Sequence, residues 1–135
     1  MKSAMIDLLF QNPIIFIVLI IALVISITIH EFAHAFTAWK LGDPTAKSLG
    51  RVTLNPVSHV DPFGMLFLII AGFGWGRPVP FDPFYLKNPK RDAAIISIAG
   101  PLSNFILAIV FAGVYHLLSF VEVSELLKLL IFYIV

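Results

Sequence analysis

Between Pro13 and Ile29 the chain carries no charged residue at all. A run of that length and polarity must satisfy its backbone amides internally, which for a single uninterrupted segment means a helix. Pro13 suits the first helical turn, where its missing N–H costs nothing, and Asn12 can cap it. Gly42-Asp43-Pro44 is a stop signal. The reading is one helix over about residues 13–41, roughly 43 Å long at 1.5 Å per residue. That exceeds the ~30 Å of a bilayer's hydrocarbon core. Composition agrees: 59% of residues are hydrophobic and 13% charged, against roughly half and a quarter in ordinary soluble domains. Mean hydropathy is +0.97. Charged and metal-type residues follow the apolar run on the same helical background, so the run does not read as a cleavable signal peptide.

A second clear helix is expected over about residues 92–120. Ala93, Ser97, Gly100, Asn104, Ala108 and Phe111 recur along it at helical spacing. Phe111 aside, this is a small or polar stripe of the kind used for close helix packing in lipid. Pro101 lies in its interior, where a kink is expected. Glu122, Ser124 and Glu125 make a short exposed turn, and 126–135 begins a further apolar helix.

Residues 42–91 form an irregular insert. Leu49 to Leu54 has the look of a short strand. The apolar stretch Met65 to Trp75 is too short to span, and Gly72, Gly74 and Gly76 argue against a straight helix. The expectation is a small re-entrant or β-hairpin insert, tolerated at membrane depth only where protein or a wet cavity covers it. Pro78, Pro80 and Pro83 then impose extended chain. The fold class is therefore all-α, a polytopic membrane protein in a single unit of residues 1–135.

Charge sets the expected topology. Lys40, Lys47, Arg51, Arg77, Lys87, Lys90 and Arg91 lie between the two helices, leaving only Lys2 before and Lys128 after. The positive-inside rule puts the central basic region in the cytoplasm and the N-terminus outside. Trp39 and Lys40 fall where aromatic and basic side chains favour the membrane interface. A net charge of +1 implies no nucleic-acid partner. With no cysteine present, any metal must be held by His, Asp or Glu.

The chemistry sits at His30-Glu31-Phe32-Ala33-His34. On a helix, His30 and His34 lie one turn apart on one face and can turn ring nitrogens to one metal ion. Glu31 is offset by one position and can act as a general base beside it, while the metal acidifies a water. The plain alternative is that these residues merely end a helix at a wet interface. A charged group near bilayer depth costs ~2.5–3.5 kcal/mol, so such residues usually serve a function.

Four stretches carry a resemblance that covers nearly the whole chain. They are His30-Glu31-Phe32-Ala33-His34-Ala35 and Leu54-Asn55-Pro56-Val57-Ser58-His59-Val60-Asp61-Pro62-Phe63-Gly64. Phe73-Gly74-Trp75-Gly76-Arg77-Pro78-Val79-Pro80 and Ala99-Gly100-Pro101-Leu102-Ser103-Asn104 follow. In that order they resemble the site-2 protease family of intramembrane zinc metalloproteases, in its compact form without an inserted peptide-binding domain. The resemblance implies one zinc ion per site, held by His30 and His34, with Glu31 as the catalytic base. It implies a multi-pass protein of a prokaryotic plasma membrane, whose substrates are transmembrane proteins or peptides cut near the cytoplasmic face.

One departure is serious. The family completes its zinc site with an aspartate in a Leu-Asp-Gly motif on a later helix, and this chain has no Asp-Gly pair. Two readings follow: a fragment or shortened form of an active enzyme, or a catalytically inactive truncated relative acting as a membrane interaction protein. Asp61, Asp82 or His59 substituting as third ligand is the weaker alternative. A di-iron or haem protein fits less well, with four histidines in the chain.

His59 and Asp61 read either as active-site support or as a loop turn before Pro62. Asn104 reads as a substrate-backbone contact or as packing glue, the commoner role. His116 reads as an interfacial residue. The segment from Val52 to Pro80 is expected to offer an extended edge that pairs with an unwound substrate.

Overall fold

The structure, a computed structural model, describes residues 4–118, 120 and 124–134. The expectations on Lys2 and Glu122 fall outside these residues. The described residues are helical, with no strand among them. Helix α1 is Ala4–Gln11, α2 is Pro13–Lys40, α3 is Thr45–Ser48, α4 is Pro62–Ala71, α5 is Pro89–Leu118 and α6 is Glu125–Ile134. Short 3-10 turns occupy Pro56–Ser58 and Pro83–Tyr85.

α2 begins as its sequence dictates. Pro13 opens it and the Asn12 side chain accepts from the Ile15 N–H at 3.2 Å. It runs 28 residues, and α5 runs 30. Both are long and apolar enough to cross a membrane. α5 starts three residues earlier than expected, because the buried Asp92 carboxylate reaches back to accept the Asn88 N–H at 2.9 Å. Much of both helices' apolar surface faces outward: Ile14 of α2 is 60% exposed and Phe105 of α5 65%. A contiguous apolar surface of this kind marks a lipid or protein contact.

α2 packs chiefly on α5, and α6 lies against both. The contact is built from small groups. Ala22, Thr28, Ala35 and Ala38 of α2 are buried, as is Gly100 of α5. Small residues let two backbones approach closely. The stripe expected on α5 is the face turned inward, except that Ser97 stays open on a cleft.

The insert differs from the expectation of strands. Leu49 to Leu54 is turn and bend. Gly50 takes a left-handed φ of 68°, and the Arg51 N–H returns to the Ala46 carbonyl at 2.9 Å, capping α3. That closing turn consumes the backbone donor a strand would need. Met65 to Trp75 is neither hairpin nor span. Its first part belongs to α4, opened by Asp61, which accepts the Gly64 N–H at 2.8 Å, and closed by Gly72 at φ 79°. The chain then folds back on the first turn of α4. A Cβ on Gly64 would strike the Trp75 carbonyl, and one on Gly74 would strike that of Gly64. A single antiparallel bridge, Val60 to Gly76, and the Arg77 N–H on the His59 carbonyl at 2.7 Å close this return.

Two buried charges hold the insert together. Asp43 is fully buried just past α2, where it accepts from the Thr45 N–H at 2.9 Å and the Thr45 hydroxyl at 2.5 Å. Its other oxygen accepts the Asp82 N–H at 2.7 Å, tying the end of α2 to the chain that enters α5. Arg51 donates to the carbonyls of Pro78 at 3.1 Å and Arg77 at 2.5 Å. Leu86, Ala38 and Ile96 form a small apolar cluster beside these ties, with Leu41 and Phe81 packed against it.

Candidate metal centre

His30 and His34 lie on consecutive turns of α2, their ring centroids 4.7 Å apart and nearly perpendicular. The face they share is turned to α5. His34 Nδ1 meets the Ile96 carbonyl at 2.6 Å. A carbonyl only accepts, so Nδ1 carries the proton and Nε2 keeps its lone pair. That is the tautomer a metal needs, held by the kind of outer hydrogen bond that metal-ligating histidines make. His30 Nδ1 lies 3.2 Å from the Asn104 amide nitrogen.

The two Nε2 atoms converge on Gly100. A Cβ built there would lie 2.5 Å from His30 Nε2 and closer still to His34 Nε2. The absent side chain of Gly100 thus makes room for two imidazole nitrogens, which approach the α5 backbone there side by side. This cradle fits a cation that takes nitrogen ligands in tetrahedral geometry, as zinc does. Among the described residues, no group of three His, Cys, Asp or Glu gathers at ligating distance.

The weaker candidates for a third ligand are engaged elsewhere. Asp61 caps α4, and Asp82 accepts the Phe84 N–H at 2.9 Å, capping the following 3-10 turn. The turn reading of Asp61 is the one its contacts match. His59 is fully buried and its Nε2–H donates to the Thr53 carbonyl at 2.7 Å, pinning the loop before α4. His116 stacks edge-on against Phe120, ring centroids 5.4 Å apart.

Glu31 and His34 line a cleft of about 200 Å³ with Pro78, Val79, Phe81, Ile96 and Ser97. Glu31 also lies beside Gly76, whose added Cβ would stand 3.6 Å from its Oε1. One wall of the cleft is the extended chain 77–81 that Arg51 grips. Burial lowers the Arg51 pKa from its ordinary value, while Glu31 raises it and Arg77 lowers it. The three charges therefore share one electrostatic neighbourhood at the cleft.

The sequence places His30 and His34 on one face with Glu31 beside them, but does not reveal what faces them. Ile96, Gly100 and Asn104 stand at i, i+4 and i+8 on α5, one per turn. Gly100 and Asn104 were legible as part of a small or polar stripe, with Asn104 read as a substrate contact or as packing glue. Ile96 was not in that stripe, because it acts through its backbone carbonyl, which no side-chain pattern reveals.

The comparisons with known proteins bear on the whole chain. The sequence pattern of Peptidase family M50 matches residues 18–132. The chain is 52% identical over 92 residues to a Bacillus subtilis protein named "Putative zinc metalloprotease YwhC", covering 68% of this chain and 42% of that protein. It is 39% identical over 105 residues to "Putative zinc metalloprotease Rip2" of Mycolicibacterium smegmatis, covering 73% of this chain and 40% of that one. The Mycobacterium tuberculosis protein of the same name is 33% identical over 110 residues, 77% of this chain and 42% of its own length. The chain thus spans less than half the length of the curated relatives it matches. No solved structure gives a significant match. The pattern matched along residues 18–132, together with three similar relatives, shows that the chain belongs to peptidase family M50, the site-2 protease family.

Proposed function

We propose that this chain forms the metal-binding half of an intramembrane zinc metalloendopeptidase. The observation that carries the reading is the convergence of His30 Nε2 and His34 Nε2 on the space left by Gly100, with Glu31 on the adjoining cleft. His30 and His34 would hold the zinc. Bound there, zinc supplies a Lewis acid that polarises a peptide carbonyl and acidifies a water. Glu31, on the cleft beside the histidines, would serve as the general base that holds a proton on its way to the leaving amine. A catalytic zinc site takes three protein ligands as a rule. The family resemblance implies an aspartate as the third, in a Leu-Asp-Gly motif.

Two observations support a membrane setting. Both long helices pass the length and hydropathy needed to span. At the end of α2, Lys47 Nζ lies 3.9 Å and Lys40 Nζ 4.7 Å from the Trp39 ring centroid. This is the aromatic–basic pairing favoured at an interface. With the basic loops cytoplasmic, cleavage falls near the cytoplasmic face of a prokaryotic plasma membrane. The substrate is a transmembrane protein or peptide.

A substrate helix resists hydrolysis because its backbone is bonded internally. The chain at 77–81 offers a partner for an unwound one. Neither the N–H nor the C=O of Val79 bonds to another described residue. Such an edge accepts an added strand. A photocrosslinker at position 79 should capture a transmembrane peptide substrate, while one at the outward-facing Leu102 should not. Equal capture at both positions would remove the edge-pairing step.

Zinc analysis tests the site itself. The purified chain should bind one zinc ion, and His34→Ala should lower its affinity at least about 100-fold, the upper range for disturbed metal sites. Zinc content that is the same with and without His34 would sink the assignment.

A further inference from the structure

His30 and His34 face the same space, but their outer nitrogens are held differently. The Ile96 carbonyl can only accept, so it commits His34 to one tautomer. His30 meets a carboxamide, which can accept or donate. As placed, the Asn104 amide N–H donates to His30 Nδ1 at 3.2 Å. That puts the imidazole proton on Nε2, where it blocks the lone pair aimed at the Gly100 space. In the same arrangement Asn104 Oδ1 is buried without a hydrogen-bond partner. An unpaired buried acceptor costs roughly 1–3 kcal/mol. The carboxamide occupies nearly the same volume either way round. Turned over, its oxygen stands against Nδ1, accepts the Nδ1 proton, and frees the Nε2 lone pair toward the space His34 also faces.

We infer that Asn104 is the positioning residue of His30: its carboxamide oxygen accepts the Nδ1–H when a cation is held, and so sets the tautomer and ring direction of this ligand. The inference rests on the zinc reading above. Its logic is the register of two antiparallel helices. On α5, Ile96 holds His34, Gly100 leaves the room, and Asn104 holds His30. Packing glue would need only the volume of Asn104. A positioning role needs its acceptor.

The two roles predict opposite orders for two variants of nearly the same size. Asn104→Leu keeps the volume and loses the acceptor. Asn104→Asp keeps an acceptor and makes it stronger. In chelator competition on the purified chain in detergent, Asn104→Leu should weaken zinc binding about 10- to 100-fold. Asn104→Asp should stay within a few-fold of the unsubstituted chain. Nitrogen NMR of the zinc-loaded unsubstituted chain should show His30 protonated at Nδ1. Zinc affinity left unchanged by Asn104→Leu, or lost in Asn104→Asp, would overturn the inference while leaving the zinc site standing. Failure of the unsubstituted chain to bind zinc would overturn the zinc reading and this inference together. Should Asn104→Leu not fold, Asn104→Ala decides: zinc binding weakened while Asn104→Asp retains it upholds the role of Asn104, and zinc binding unchanged in Asn104→Ala refutes it.

Discussion

Gly100→Ala should abolish zinc binding with one methyl group. An added Cβ falls against the Nε2 atoms of both His30 and His34, the two nitrogens a metal needs free. Neither ring yields without cost. His34 is tied to the Ile96 carbonyl and His30 to Asn104, so a shift of either ring breaks a hydrogen bond. Gly100 is itself buried in the α2–α5 contact, so the alternative is to part the helices. Overpacking of that kind costs about 1–3 kcal/mol. The expected result is a drop in zinc affinity of about 100-fold or more, with a modest fall in thermal stability. Metal analysis and a melting curve measure the two. Gly113 is the control, because a Cβ there meets nothing within 4 Å. Full zinc occupancy in Gly100→Ala at unchanged affinity would show that the metal lies elsewhere.

Glu31→Gln should separate binding from chemistry. The carboxamide keeps the size of the side chain and its place in the cleft, but it cannot take a proton from water. General acid–base groups contribute 10²–10⁴-fold, so, on the proposed function, peptide cleavage by a form holding all three zinc ligands should fall by about 10³-fold. Zinc content should not change, since His30 and His34 are untouched. The pairing of the two readouts is the point. Loss of zinc along with activity would make Glu31 a ligand, and persisting cleavage would remove it from the role of base.

The sequence displayed some of this plainly and hid the rest for identifiable reasons. α2 could be read to within a residue, because its start and stop rest on local chemistry: Asn12 and Pro13 at one end, Gly42 to Pro44 at the other. The second helix was legible in type but began earlier than expected. Its cap comes from Asp92 reaching back to Asn88, a reach that hydrophobic patterning does not reveal. The Leu49–Leu54 strand failed on Gly50. One left-handed residue turned that segment into the close of α3. α4 was legible as an apolar stretch of the wrong length to span, and its return path depended on which glycine meets which carbonyl.

The candidate site divides the same way. That two histidines share a face and flank a glutamate follows from the 3.6-residue period of a helix, and needs nothing beyond the sequence. Family membership was equally legible in four motifs. The tertiary structure alone decided what stands opposite. Ile96, Gly100 and Asn104 lie more than sixty residues further along. Their register against His34 and His30 is set by the packing of small residues between α2 and α5. The same holds for Asp43 on Asp82 and Arg51 on Pro78. The uncharged run from Pro13 to Ile29 determined that a long apolar helix would form and that His30 would follow on it. Local hydrogen bonding and side-chain period suffice for that. Whether those histidines face a space shaped for a metal is a matter of contact between distant segments, and no local period encodes it.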